Sequence, residues 1–489
     1  MTSEILLGDV PAFNARRMAA DRWAVRHDDE VLTWRELADR ALRRAHALAD
    51  AGVRQDDFVA ISLPNSNAIY ELTFALWKLG ATPLMLSPRL PAAELGPILE
   101  LANARLVISH DPAVRAATAG LPPEFGRDHP DATPLESRLA THWKAMTSGG
   151  STGRPKVIVD HRASRMTMGA PILGAPAGGV MLNPAPLYHN FPFAMSHMAM
   201  VDGCSVVGMS RFDAEGLLRT VERDRVEWVN LVPTMMNRIA RLPPAVREAY
   251  DLSSLKAVWH TAAPIPAWLK QTWIDWLGPE RVWEIYGGTE GFCTTQLNGV
   301  EWLEHRGSVG RPTIGELLIR GEDGSALAPG EVGEVFMRGP GGAVPTYNYL
   351  GAESRRLNDG FESLGDYGWV DEDGYLYISD RRTDLILCGG ANIYPAELEA
   401  ALMEHPGVET AIVIGLPHDD LGAVPHAIIR PEQGVPPPTE AELRAFASER
   451  LATAKTPRTY EFTDQPLRDE AGKVRRSRLR TERIERLTG

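Results

Sequence analysis

The sequence predicts an α/β protein of at least two domains, and three observations carry that prediction. The chain has 489 residues, too many for one small hydrophobic core. Its first half alternates amphipathic helices with short apolar strands, the pattern of parallel βαβ layers. Near Ser379–Asp384 a turn-rich β stretch gives way to a βαβ-like unit.

Each element has a local reason. Thr33-Trp34-Arg35-Glu36-Leu37 reads as a capping box, with Thr33 as cap and Glu36 reaching back. The helix it opens runs through Ala41–Ala51 and stops near Gly52. Phe58–Leu63 is a short buried strand ended by Pro64-Asn65. Asn67–Lys78 is the next helix, closed by Gly80, and Ala81–Leu86 the next strand. Glycine and proline gather at Gly169–Gly179 and Gly321–Gly342, which marks surface turns. In the tail, Pro395–Met403 reads as a helix and Thr410–Ile414 as a strand.

Charge and cysteine usage narrow the function classes. Lys plus Arg number 51 against 64 Asp plus Glu, a net charge of −13, which disfavours a nucleic-acid partner. Cys204, Cys293 and Cys388 form no metal or redox pattern. The N-terminal stretch lacks a basic-then-apolar signal layout, and no run approaches the ~18–20 apolar residues of a membrane span. A reduced, cytoplasmic protein without a membrane span is expected.

The most informative stretch is Thr147-Ser148-Gly149-Gly150-Ser151-Thr152-Gly153-Arg154-Pro155-Lys156. Glycines let successive N–H groups turn toward one point, hydroxyls add donors, and Lys156 adds charge, so the loop can cradle polyphosphate. Composition alone also allows a flexible surface loop. A Walker-type loop fails, because Lys156 follows Pro155 and precedes Val157. Gly149–Gly153 does satisfy G-x-S-x-G, the nucleophile elbow of a Ser151 hydrolase. That elbow must enter a helix, whereas Pro155 and Val157-Ile158-Val159 predict a hairpin.

Six segments together resemble the adenylate-forming superfamily of acyl- and aryl-CoA ligases, luciferases and peptide-synthetase adenylation domains. They are Thr147–Lys156, Pro186-Leu187-Tyr188-His189, Tyr286-Gly287-Gly288-Thr289-Glu290, Gly365-Asp366, Asp380–Asp384 and Gly472-Lys473, in the family's order. Within it the phrasing looks closest to bile-acid-type acyl-CoA ligases. The resemblance implies a large N-terminal domain, residues 1–382, of α/β layers plus a distorted β-barrel. A small mobile α+β C-terminal domain, residues 383–489, would carry the catalytic lysine.

The implied reaction joins a carboxylic acid to ATP as an acyl-adenylate, with Mg²⁺, and then passes the acyl group to CoA. Both reacting groups are anions, so positioning and charge neutralisation are required rather than a general base. By resemblance, the Thr147–Lys156 loop holds the β- and γ-phosphates, Glu290 holds Mg²⁺, and Thr289 sits near the α-phosphate. Tyr286 stacks on adenine opposite Ala262, Ala263 and Pro264, with Glu284, Ile285 and Ile378 beside the nucleotide. Asp366 accepts from the ribose hydroxyls, Arg381 donates to the ribose oxygens, and Lys473 bridges carboxylate and α-phosphate. On residue type alone Glu290 and Asp366 are loop acids and Lys473 belongs to a solvated basic run.

The resemblance also makes His189 a gate between acid pocket and CoA tunnel. Asn190, Phe193, Met195, Trp259, His260, Gly287 and Gly288 are the pocket candidates. Gly389 and Gly390 match the tunnel glycines, and Thr383 stands at the hinge, where many relatives have Asp or Lys. Two further departures are Pro192 and Thr261-Ala262, where relatives often have glycine. The same machinery would serve a carrier protein or amine as acceptor, or nitrite-dependent diazotisation of an aryl amine. A homodimer is compatible with all of these readings.

Overall fold

The computed structural model describes residues 4–147, 156–169, 173–381, 383–388, 391–451, 455–469 and 472–488. Two large sheets dominate the N-terminal part. A nine-stranded sheet has a parallel interior that includes Val180–Asn183, Trp228–Leu231, Ala257–His260 and Val282–Gly287. A six-stranded sheet pairs Phe58–Ser62 parallel with both Thr82–Met85 and Leu106–Ser109. A five-stranded antiparallel layer, Glu316–Arg320 to Leu376–Arg381, follows.

Helices seal the space between the first two sheets. Trp34–Asp50 begins at the predicted capping box: Glu36 N–H donates to Thr33 Oγ1 at 3.2 Å, and Thr33 N–H to Glu36 Oε2 at 2.8 Å. Asn67–Lys78 is buried from Asn67 to Trp77, as a helix between layers must be. Its Glu71, fully buried, is neutralised by Arg44 at 2.7 Å and by Arg40 and Arg127, both at 3.1 Å.

His197, on the helix Asn190–Val201, makes this core sensitive to acid. The ring is fully buried among Tyr70, Phe74, Trp77 and Phe193. It contacts the Phe193 carbonyl through Nδ1 and Thr73 Oγ1 through Nε2, both at 2.8 Å. Burial lowers its pKa to about 4. The unfolded chain takes up a proton below about 6.5 that the folded chain refuses, so stability is full above that value. It falls by about 1.4 kcal/mol per unit as pH drops from about 6.5 toward 4. Thermal unfolding across this window is expected to show that slope, and a His197→Gln variant to lack this share of it.

Beyond Ile386 the chain builds its own sheet and cores, drawn only from tail residues. The expected βαβ-like unit takes another form. Helix Pro395–Leu402 leads into Val408–His418, but that strand pairs antiparallel with Gly422–Pro431. A tight reversal through Asp419–Leu421, with Gly422 at φ +76°, sends the chain straight back. The protein is thus an α/β chain with a large layered N-terminal unit and a smaller α+β C-terminal unit. Among the described residues no helix is long and apolar enough to cross a membrane.

Candidate active site

Two antiparallel strands frame the predicted phosphate loop. Ala145–Thr147 pairs with Val157–Asp160, and Thr147 stands opposite Val157. The chain returns as a hairpin, which removes the strand-to-helix elbow that Ser151 would need. Ser148, Gly149, Gly150, Ser151, Thr152 and Gly153 lie outside the described residues. Lys156 leaves the loop with its ammonium 4.2 Å from the centre of the Tyr349 ring. Burial lowers its pKa, and the charge of Glu290 opposes that shift.

Tyr349 links this lysine to the Tyr286–Glu290 segment. Its hydroxyl donates to Glu290 Oε1 at 2.5 Å, and Thr346 Oγ1 donates to the Glu290 carbonyl at 2.8 Å. Glu290 is buried in a turn closed by Gly291 N–H on the Gly288 carbonyl, with Thr289 half-buried beside it. A Cβ on Gly288 would lie 2.5 Å from Glu290 Oε2, so only glycine leaves that oxygen approachable. Among the described residues no three His, Cys, Asp or Glu side chains cluster as metal ligands. A single approachable carboxylate oxygen, Glu290 Oε2, suits a hard cation such as Mg²⁺ whose other ligands are phosphate and water.

The next group is drawn from three strands. Tyr286 donates its hydroxyl to Asp366 Oδ2 at 2.6 Å, and Arg381 Nε donates to Oδ1 at 3.2 Å. Asp366 and Arg381 are register partners across an antiparallel pair. Each carboxylate oxygen keeps a second lone pair, so Asp366 can still accept from a ligand's hydroxyls. Ile378 packs with Tyr286 on one apolar cluster. Ala262, at φ +76°, follows the strand Ala257–His260. That conformation strains any side chain, and an Ala262→Gly variant is expected to gain up to about 1 kcal/mol in denaturant unfolding.

Lys473 reaches the same space from the C-terminal unit. Its loop is tied by Lys473 N–H on Asp469 Oδ1 at 2.9 Å and Gly472 N–H on the Asp469 carbonyl at 2.9 Å. Gly472, at φ +74°, lies against Ala263, Val232 and Thr234. The Lys473 side chain is open to the space between the units, yet protein surrounds it at longer range. That burial lowers its pKa; Asp469 and Glu290 raise it, while Arg381 and Lys156 lower it further. Across the junction, Arg241 Nη2 donates to the Val408 carbonyl at 2.8 Å and pairs with Glu432, and Arg238 meets Glu409 at 3.5 Å.

His189 caps the helix Asn190–Val201, its ring 4.4 Å from that of Tyr188. Burial first, and then the nearby Lys473 charge, lowers its pKa to about 3, so the ring is neutral at physiological pH. Among the described residues, its Nε2 and Asn190 Oδ1 are buried without partners. Met195 and Trp259 meet in one cluster with Trp228, Trp283 and Phe191.

Several expected site side chains point elsewhere. Phe193 packs against Trp77, Trp143 and His197 in the main core. His260 falls on the opposite strand face from Trp259, since side chains alternate; it lies 3.6 Å from Glu284. The Glu284 carboxylate is held by buried Lys270 at 2.5 Å, and its backbone lies within the sheet between His260 and Leu297. Ile285 packs with the Trp259 cluster rather than with Tyr286. Gly287 ends its strand and is exposed, and a Cβ there would meet the Cys293 carbonyl at 2.8 Å, so both glycines are needed for space. Ala262 and Pro264 are exposed beside half-buried Ala263. Thr383 donates to Asp384 at 3.4 Å, and Asp384 meets Arg476 at 3.3 Å. Gly389 and Gly390 lie outside the described residues. Tyr349, which joins Lys156 to Glu290, is a residue that the sequence does not single out.

Known proteins share this architecture. Residues 12–347 match the family model of the AMP-binding enzyme, and residues 397–473 that of the AMP-binding enzyme C-terminal domain. The 2-succinylbenzoate–CoA ligase of Bacillus licheniformis is 31% identical over 97% of this chain and 100% of its own length. A feruloyl-CoA synthase from an Amycolatopsis species is 35% identical, covering 97% and 98%. The structure of o-succinylbenzoate CoA synthetase from Bacillus subtilis, in complex with its acyl-adenylate intermediate, superposes with a TM-score of 0.82 at 27% identity, covering 98% of each chain. The same enzyme has been solved in complex with ATP and magnesium ion.

Proposed function

The chain belongs to the AMP-binding enzyme family, and from that premise we propose how its residues share the work of one reaction. It is an AMP-forming acid–CoA ligase: acid and ATP give an acyl-adenylate and pyrophosphate, and CoA then takes the acyl group and releases AMP. One observation carries the assignment of roles. Lys156 and Glu290 meet on Tyr349, Arg381 is held on Asp366, and Lys473 from the C-terminal unit comes within electrostatic reach of Lys156, Arg381 and Glu290, an arrangement suited to a polyanion.

Lys156 and its loop bind the β- and γ-phosphates. Asp366, Tyr286 and Arg381 orient the ribose and adenine. Glu290 would hold a magnesium ion, whose charge would offset that of the phosphates. Lys473 draws the acid's carboxylate and the α-phosphate together, with Thr289 beside them. The acid is already ionised at neutral pH, so no proton has to be removed, and the neutral His189 walls the pocket without repelling Lys473. Rotation near Thr383 then withdraws Lys473 and opens a path for the CoA thiol. The three cysteines are free, which suits a reducing cytoplasm.

The test is a mass-spectrometric screen of aryl, fatty and steroid acids with ATP, with and without CoA. Pyrophosphate is expected with acid and ATP alone, and a thioester only when CoA is added. Failure of every acid to support ATP–pyrophosphate exchange would defeat the proposal. Acyl transfer to an amine without CoA would reassign the acceptor.

A further inference from the structure

The strand Trp228–Leu231 buries an amide that has no partner among the described residues. Asn230 is 1% exposed, yet neither its Nδ2 nor its Oδ1 is hydrogen-bonded. An amide buried with both groups unpaired is rare, because the hydrogen bonds it gave up to water are not replaced. A group that both donates and accepts would satisfy it.

The sheet register says what those surroundings are. Asn230 pairs with Trp259 on one side. On the other, Met181 pairs with Trp228 and Leu182 with Val229, which sets Asn183 beside Asn230. Paired positions of parallel strands share a face, and this face carries three tryptophans side by side. Trp228 and Trp259 are 6.5 Å apart with planes 26° apart, and Trp259 and Trp283 are 5.1 Å apart at 22°. Phe191 lies 6.4 Å from Trp228.

The helix Asn190–Val201 covers this face. Asn183 Nδ2 donates to the Pro192 carbonyl at 2.9 Å and to Ser196 Oγ at 2.7 Å, while its buried Oδ1 has no partner among the described residues. Pro192 therefore has a defined job: its carbonyl anchors the helix to the sheet. Both asparagines stand at the C-terminal ends of parallel strands, where sheets of this class receive ligands.

Resting on the ligase reading above, we infer that the acid is an aryl carboxylic acid bearing a ring hydroxyl, and that Asn230 reads that hydroxyl. Flat tryptophan faces suit an aromatic ring better than a flexible chain. A phenolic hydroxyl donates to Asn230 Oδ1 and accepts from Nδ2, which satisfies both orphaned groups at once. An amide offers no charge, so a second carboxylate would go unneutralised there.

The experiment compares matched acids, hydroxylated and unsubstituted cinnamic and benzoic acids, by ATP–pyrophosphate exchange with the full-length enzyme. Wild type is expected to prefer the hydroxylated member by about tenfold or more in kcat/KM, because the unsubstituted acid leaves the amide unpaired. In Asn230→Leu that ratio collapses toward one. A merely structural asparagine, or one satisfied by a trapped water, would lower both acids in proportion and keep the ratio, which overturns the inference. If Asn230→Leu does not fold, wild type alone decides: no preference for the hydroxyl overturns it too. Exchange with fatty acids but no aryl acid sinks this inference and leaves the ligase standing. Exchange with no acid at all sinks both.

Discussion

Replacing Lys473 by alanine is expected to slow acyl-adenylate formation about a thousandfold while leaving thioester formation from preformed adenylate far less affected. The reason is position. Lys473 enters from the C-terminal unit, where its charge is felt by His189 and where it in turn feels Arg381, Glu290 and Lys156. A lysine about 4 Å from a phosphate, at an effective dielectric of ~20, contributes about 4 kcal/mol. At ~1.4 kcal/mol per decade that is roughly three powers of ten in rate. ATP–pyrophosphate exchange reads the first step, and CoA consumption with synthetic adenylate reads the second. Equal losses in both would mean that Lys473 supports the fold of its loop rather than the first transition state.

Glu290→Gln is the second large effect, about a hundredfold or more in adenylation, with a raised magnesium requirement. Glutamine keeps the size and can still accept from the Tyr349 hydroxyl, so the protein should unfold at nearly the wild-type temperature. What it loses is the negative charge at Oε2, the oxygen that Gly288 leaves open. Gly288→Ala should produce a milder version by crowding that oxygen and the Leu364 methyl group. A magnesium titration of exchange activity separates the cases. An unchanged magnesium dependence in Glu290→Gln would remove Glu290 from that role.

Much of this could be read from the sequence because it depends on neighbours in the chain. Thr33 and Glu36 are three residues apart, and their capping box is local chemistry. Asn67–Lys78 is helical between the limits its punctuation predicts, and the hairpin after the phosphate loop follows from Pro155 and three β-branched residues. Motif order located Tyr286, Asp366, Arg381 and Lys473, which the fold brings near one another.

What could not be read was direction. His260 and Trp259 are adjacent in the chain and face opposite sides of one sheet. Phe193 was expected in the acid pocket, but tryptophans from two distant segments claim it for the core. Glu284 needed Lys270, on a separate helix, to explain its burial. Tyr349 became a partner of both Lys156 and Glu290 only through strand pairing across nearly two hundred residues of chain. Sheet register decides such contacts, and a single chain read in order does not reveal it.

The junction between the two units has a mechanical meaning. Arg238, Arg241, Glu409 and Glu432 meet across it, while the apolar cores on either side are each complete within their own unit. Parting such a seam wets charges that water receives readily and bares little oil. The swing that a two-step ligase needs is therefore geared for low resistance, and dissolved salt becomes its throttle.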